Sequence, residues 1–281
     1  MICITQRVRS DSAPLCPEMG YHIYSLLLNR MKDAAYTGRL HSGREKTPVS
    51  VTVLPDAGKT QEGTVRICLF HEEAVRHFYP VIPDDCYRLR RTRCTLTVLQ
   101  RQERTLGEEE LLTQWFLPET RIPVYIDLCF LTPTAFHKHR RLLPVPEIHA
   151  LLRAAASQFN LLDLSSAVEE LYLLQKMEQA IVVHSCDIRT RPFPFKPDLS
   201  CCGFTGRMRI QLRGADAVNR LLYMLLYAAQ YTGVGARTAL GMGRIQLVPC
   251  GRKTGSRAGR RGNSRTDGLR SSENCDIIST N

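Results

Sequence analysis

One histidine stands among cations where it could transfer a proton to or from a phosphate ester. His41 lies in a polar, glycine-containing segment predicted to be a loop, and Arg44 and Lys46 follow within five residues. Imidazole titrates near neutral pH, and neighbouring cations stabilise the negative charge that develops on a phosphorane. The set therefore suits RNA cleavage by the RNA's own 2′-hydroxyl, a reaction that needs no metal ion or other cofactor. The plain alternative is a solvated loop histidine.

A glycine-rich run follows an apolar segment near the end of the chain. Its members of interest are Gly233, Gly235, Arg237, Thr238, Gly241, Gly243 and Arg244. Glycines leave the backbone bare enough for another backbone to approach, and successive N–H groups can hold phosphate oxygens. The run follows a helix and opens a strand, whereas a dinucleotide fingerprint leaves a strand and opens a helix. It therefore predicts contact with an RNA backbone, with a structural turn as the alternative.

Two further runs are strongly basic. One covers residues 137–141 and contains two histidines and three cations, and the other contributes Arg88, Arg90, Arg91 and Arg93. Each run is either an RNA-facing patch or a solvated loop, and spacing alone does not separate the two interpretations.

Charge and composition narrow the class of partner. The chain has 38 Lys and Arg residues against 27 Asp and Glu, which gives +11 over 281 residues. This excess favours a polyanionic partner, with nucleic acid ahead of an anionic membrane surface. The longest dense apolar run, 221–229, is less than half of a membrane span, and no signal-peptide order opens the chain, so we expect a cytoplasmic protein. Eleven cysteines without a C-x-x-C pair predict reduced thiols.

The hydrophobic pattern predicts an α+β fold in which the same order of elements occurs twice. Residues 1–120 and 121–250 each read as strand-helix-strand-strand-helix-strand, the ferredoxin-like arrangement of many RNA-binding domains. The first predicted helix spans residues 20–35 and stops before His41. Residues 251–281 form a basic, Gly- and Ser-rich tail that we expect to be disordered or a linker.

Several short blocks resemble the repeat-associated RNA-binding superfamily of CRISPR systems. The most specific is the glycine-rich signature at 233–244. Further blocks resemble the repeat-processing endoribonuclease of these systems, and they lie at 40–41 with 48–51, 131–136, 143–146 and 203–206. The resemblance covers roughly residues 20 to 250. It implies two tandem ferredoxin-like, or RRM-like, domains.

The resemblance also implies an activity and its residues. Members cut precursor CRISPR RNA within each repeat without a metal ion, and they leave a 5′-hydroxyl and a 2′,3′-cyclic phosphate. By this likeness His41 is the catalytic histidine, assisted by Tyr24 and Lys46, with Tyr36 and Arg44 as competitors for those two roles. Arg44 is also expected to contact RNA. Other members are non-catalytic RNA-binding scaffold subunits of CRISPR effector complexes, which is the alternative function.

The expected partners follow from the same resemblance. They are CRISPR repeat RNA within the precursor transcript and, for an effector-bound protein, other effector subunits, with no membrane partner. A homodimer is left open. Some relatives are fused to a reverse transcriptase, and the tail at 251–281 is of a composition that could link such a fusion.

Overall fold

The computed structural model describes residues 1–42, 46–138, 141–164, 168, 171–196 and 199–250. The first half forms one antiparallel sheet of order β2-β3-β1-β5-β4. Its strands are β1 (Ile2–Ser10), β2 (Val49–Asp56), β3 (Lys59–Leu69), β4 (Cys86–Leu89) and β5 (Cys94–Thr105). Its helices are α1 (Met19–Arg30), α2 (Ala34–Ser42) and α3 (Glu72–Phe78). A short helix, α4 (Glu108–Leu111), leads to the second half.

The second half forms another antiparallel sheet, of order β11-β6-β10-β9. Its strands are β6 (Tyr125–Thr134), β9 (Ile181–Lys196), β10 (Leu199–Leu212) and β11 (Ile245–Cys250). The helices α5 (Ile148–Phe159), α6 (Leu171–Gln179) and α7 (Asp216–Thr232) accompany it, and β7 (Phe136–Lys138) pairs with β8 (Arg141–Leu143) as a small hairpin. With the edge strand β4 left aside, β1 and β3 are the central strands of the first sheet, and β6 and β10 are the central strands of the second. The first and third strands of each half therefore lie side by side in the middle of the sheet, so the predicted double ferredoxin-like α+β fold is confirmed.

Alternating apolar residues explain how each half builds its core. Val49, Val51 and Val53 of β2 are fully buried and pack in one cluster with Ile23 and Leu27 of α1. A strand exposes alternate side chains to opposite faces, so this spacing directs all three valines toward the helices. The second core forms in the same way, with β6 and β10 packed against α5 and α7.

The first helix differs from its prediction, and the difference moves His41. The backbone at Met31 is extended (ψ 136°), which ends α1 at Arg30, five residues before the predicted boundary. A second helix starts beyond Asp33, whose carboxylate accepts a hydrogen bond from the amide of Tyr36 at 2.9 Å. His41 therefore lies in the last turn of α2, and the prediction of a loop at this residue was wrong. The polar composition of the segment concealed this helix.

Two cysteines also differ from the prediction of reduced thiols. Cys3 and Cys68 are register partners on β1 and β3, and their sulfurs are joined as a disulfide. Directly opposed residues on neighbouring antiparallel strands have close Cα atoms, here 4.2 Å apart, which is why these two meet. The other cysteines of the described residues are not part of this disulfide.

The two halves pack against each other. Residues Met1–Gly251 form one compact unit, and the boundary predicted at residue 120 stays a prediction. At the junction, the buried hydroxyl of Ser50 donates to the carbonyl oxygen of Tyr231 at 2.7 Å, and the guanidinium of Arg66 lies 5.0 Å from the centre of the Tyr231 ring. The predicted tail, 251–281, lies outside the described residues. Among the helices that are described, none has the length and apolar character needed to cross a membrane.

Candidate active site

A groove of about 990 Å³ lies where the first half meets the second. The first half contributes α1 and residues 46–47, and the second contributes α5, β7 and the glycine-rich loop. Four cationic side chains line it, from Lys46, Lys138, Arg153 and Arg237, whereas Glu147 is the one carboxylate among its described lining residues. This excess of positive charge suits a polyanion.

The glycine-rich loop is shaped by contacts with the protein's own backbone. Gly235 (φ 84°) and Gly241 (φ 106°) adopt conformations that favour glycine. A Cβ on Gly235 would overlap the carbonyl oxygen of Ala135, and a Cβ on Gly241 would overlap that of Pro17. The close approach that the sequence predicts is therefore made first to the protein itself, and it fixes the loop between the two halves.

Hydrogen bonds inside the protein decide which loop amides could hold a phosphate. Amides already bonded within the protein are those of Gly233, Val234, Ala236, Leu240, Met242, Gly243 and Arg244. The amides of Gly235, Arg237, Thr238 and Ala239 make no hydrogen bond to another described residue, and these residues line the groove. Among the loop residues that line the groove, the amides that could bind a phosphate as predicted are therefore these four.

Arg237 is the cation that the loop presents to the groove. Its backbone is left-handed (φ 63°), and its guanidinium lies 4.3 Å from the centre of the Phe195 ring. Stacking on an aromatic face holds a guanidinium in place while its edge stays available to a phosphate. Next to it, the buried hydroxyl of Thr238 accepts a hydrogen bond from the side chain of Gln158 at 3.5 Å. Of the predicted RNA-binding residues, Gly235, Arg237 and Thr238 line the groove.

Gly233, Gly241, Gly243 and Arg244 do not line the groove. Arg244 instead faces Arg66 and Tyr231, and burial together with the charge of Arg66 lowers the pKa of its guanidinium. Its amide donates to the Thr132 hydroxyl at 3.0 Å, which ties the end of the loop to β6. Any contact of these residues with RNA stays a prediction.

Lys46 and Tyr24 both line the groove, and their catalytic roles stay predictions. The ammonium group of Lys46 donates to the hydroxyl of Ser157 on α5, which bridges the two halves. Tyr24 is 8% exposed, and burial raises the pKa of its phenol. The phenol therefore stays protonated at neutral pH, so it can donate a hydrogen bond but cannot act as a base.

His41 is exposed in the last turn of α2 and does not itself line the groove. Its neighbour Leu40 does, and so does Lys46 beyond it. The competing Tyr36 stacks on the His77 ring, with centroids 3.9 Å apart, and lines a second cavity of about 340 Å³, which Leu40 and Lys46 also line. Arg44, the other competitor, lies outside the described residues.

The polar face of α5 is a part of the site that the sequence reasoning missed. His149, Arg153 and Ser157 line the groove at positions i, i+4 and i+8. The apolar spacing in this helix predicts its buried face. The polar residues on the opposite face were therefore the signal that could have revealed this part of the site. His149 is held by Glu178, with the ring nitrogen 3.1 Å from the carboxylate oxygen.

Comparisons with known proteins agree with this geometry. Residues 128–245 match the family described as CRISPR-associated endoribonuclease Cas6. The Cas6 endoribonuclease of Mycobacterium tuberculosis is 25% identical over 236 residues, which cover 82% of this chain and 72% of that protein. That of Streptococcus thermophilus is 24% identical over 152 residues, which cover 54% of this chain and 61% of that protein. The matches support a Cas6-type protein.

Solved Cas6 structures share the fold. A Cas6 product complex superposes with a TM-score of 0.67 and 21% identity, covering 88% of this chain and all of that one. The family match begins within β6 and ends at the start of β11, so it spans the glycine-rich loop and the groove-lining helix α5. The predicted resemblance to CRISPR repeat-processing proteins is therefore confirmed, and the relatives that carry it are named CRISPR-associated endoribonucleases.

Proposed function

We propose that this protein cleaves precursor CRISPR RNA within its repeats by attack of the RNA's own 2′-hydroxyl, without a metal ion. The products are a 5′-hydroxyl and a 2′,3′-cyclic phosphate. The observation that carries the proposal is the basic groove between the two halves, in which Lys46 and the amides of the glycine-rich loop line the same space. His41 follows Leu40, which lines that groove.

Each group has a distinct chemical role in this reaction. Arg237 and the four open amides hold phosphates of the bound RNA. His41 transfers the proton at the scissile phosphate, and Lys46 stabilises the additional negative charge of the phosphorane. Tyr24, neutral because of its burial, donates a hydrogen bond that orients the reacting groups.

The remaining partners stay predictions. Repeat RNA is the substrate, and binding to subunits of a CRISPR effector complex would bring the bound RNA to that complex. A cytoplasmic location is a further expectation from the sequence, and a homodimer is left open.

The decisive experiment compares His41→Ala with a matched histidine variant, His149→Ala, on labelled repeat RNA. His41→Ala should lower the single-turnover rate roughly 100-fold or more, the usual scale for a general acid–base group, while RNA affinity stays near wild type. His149→Ala removes an imidazole that does line the groove, so it controls for general loss of groove contacts. Wild-type cleavage should persist in excess EDTA and yield cyclic phosphate ends.

Three results would contradict the proposal. They are cleavage by His41→Ala at the wild-type rate, loss of cutting on chelation, and binding of repeat RNA by wild type without cutting. The last result is the one expected of a non-catalytic scaffold subunit, and the exposed position of His41 outside the groove lining is the observation that favours that alternative.

A further inference from the structure

A cluster of arginines lies on the turn between β4 and β5, outside the groove. Arg90, Arg91 and Arg93 are exposed in this turn, and Arg88 is exposed on β4 because its neighbours Tyr87 and Leu89 face the core. None of the four forms an ion pair with a carboxylate in the described part of the chain. Four unneutralised guanidinium groups within six residues repel one another, and a polyanion would relieve that repulsion.

This turn lies at the end of the first sheet where α1 begins. The amide of Asp11, just beyond β1, donates to the carbonyl oxygen of Thr95 at 3.1 Å, and the Ser10 hydroxyl lies 3.1 Å from the Cys94 sulfur. The chain then enters α1, where a Cβ on Gly20 would overlap the backbone of Gly241. The arginine turn and the glycine-rich loop therefore flank the same end of α1.

A chain of contacts joins the turn to the groove. His22 of α1 is near enough to Arg91 that this charge, after the larger effect of burial, lowers the pKa of its imidazole. The ring of the adjacent Tyr21 lies 6.2 Å from that of Phe195, centroid to centroid. The guanidinium of Arg237 in turn lies 4.3 Å from the centre of the Phe195 ring. Cationic and aromatic groups thus continue from the groove, across the start of α1, to the arginine turn.

We propose that the turn Arg90–Arg93 binds the sugar–phosphate backbone of the repeat RNA where the strand leaves the groove across the start of α1. The proposal rests on the function proposed above and adds a second binding surface to it. Guanidinium groups suit this role because each can donate two parallel hydrogen bonds to one phosphate. The ligand is the backbone, so the contact should be independent of base identity.

The test replaces the charges of the turn and measures affinity against salt. The variant carries Arg90→Ser, Arg91→Ser and Arg93→Asn, because asparagine tolerates the left-handed backbone (φ 51°) of residue 93. The matched control removes three exposed cations that do not line the groove, by Lys32→Ser, Arg76→Ser and Arg121→Ser. A second variant with lysine at positions 90, 91 and 93 restores the charge.

The turn variant should bind full-length repeat RNA at least about tenfold more weakly near physiological salt. Its plot of log Kd against log salt should lose roughly two units of slope, as expected for about three phosphate contacts on a single strand. The lysine variant should recover the slope. With RNA shortened stepwise from each end, the difference from wild type should vanish once one particular terminal segment is removed.

Several outcomes would overturn this inference. One is binding by the turn variant equal to that of the control variant, as expected if the turn is only solvated or if it binds an acidic protein surface. Another is the same loss of affinity for every RNA length, which would indicate a nonspecific effect of charge. Because wild-type cleavage is measured separately, its absence would refute the proposed function, whereas wild-type cleavage with unchanged turn-variant affinity would refute only the role of the turn.

Discussion

At the scale of single residues, the site combines groups whose environments suit different tasks. Tyr24 is buried and therefore neutral, while Lys46 is exposed where it lines the groove. Lys46 has one described hydrogen-bond partner in the groove, the Ser157 hydroxyl, and that partner carries no charge. Its ammonium group is therefore available to a phosphate.

Lys46→Ala should slow cleavage about 10- to 100-fold without moving the cut site, because it removes charge stabilisation from the transition state. Lys46→Arg should recover part of the rate, and Lys32→Ala, which removes a cation outside the groove, should have no effect. Single-turnover cleavage with mapping of the product ends measures both properties. A shifted cut site would mean that Lys46 positions the RNA rather than stabilising charge.

At the scale of elements, an ion pair joins a buried aspartate of β6 to a half-exposed arginine of β10 in the second sheet. The side chain of Asp127 is 3% exposed and accepts two hydrogen bonds from the guanidinium of Arg209, at 2.6 and 2.9 Å. The hydrogen bond from Arg209 is the main reason why the pKa of Asp127 lies below its ordinary value. Since the folded state favours the carboxylate, this contribution to stability is present above the unfolded pKa and is lost as pH falls through the folded pKa.

Asp127→Asn should therefore lower the free energy of unfolding by about 1.5–3 kcal/mol at pH 7, the range for hydrogen bonds to charged groups. The difference from wild type should begin to shrink as pH falls through about 4, where the carboxylate of the unfolded chain takes up a proton, and should shrink further through the lower pKa of the folded state. Urea unfolding at both pH values measures this. A difference that stays constant across that range would show that the charge of Asp127 contributes nothing.

At the scale of the whole molecule, the site depends on the docking of the two halves. Gly241 of the second half packs against Pro17 and Gly20 of the first half, whereas Gly235 packs against Ala135 within the second half. A substitution at Gly241 therefore tests the docking of the two halves, whereas a substitution at Gly235 tests the local shape of the loop.

Gly235→Val and Gly241→Val should both weaken RNA binding, because each brings a side chain into a backbone oxygen at a positive φ. Only Gly241→Val should also make the junction between the halves easier to open, measured as faster hydrogen exchange of α1 amides. Gly38→Val is the control, since a Cβ there meets nothing within 4 Å. Equal exchange in both variants would contradict the docking role of Gly241.

The strands and most helices were predictable because their signals are local. Alternating valines at 49, 51 and 53 fix a strand, and the apolar spacing in 148–159 and 216–231 fixes two helices. The helix that carries His41 was missed, because its start depends on the Asp33 carboxylate and its polar sequence lacks a clear apolar stripe. The edge strand β4 was also missed, since four residues give little periodicity.

The sequence by itself determined the fold class, the glycine-rich loop, and the types of residue available for chemistry, because these depend on neighbours along the chain. Only the tertiary structure decided which of them share a space. It placed Tyr24 and Lys46 in the groove, placed Tyr36 with Lys46 in a second cavity, added the polar face of α5 to the groove, and directed Arg244 toward Arg66. The groove forms between two halves joined by contacts far apart in sequence, such as Ser50 with Tyr231, and no local pattern encodes such a contact.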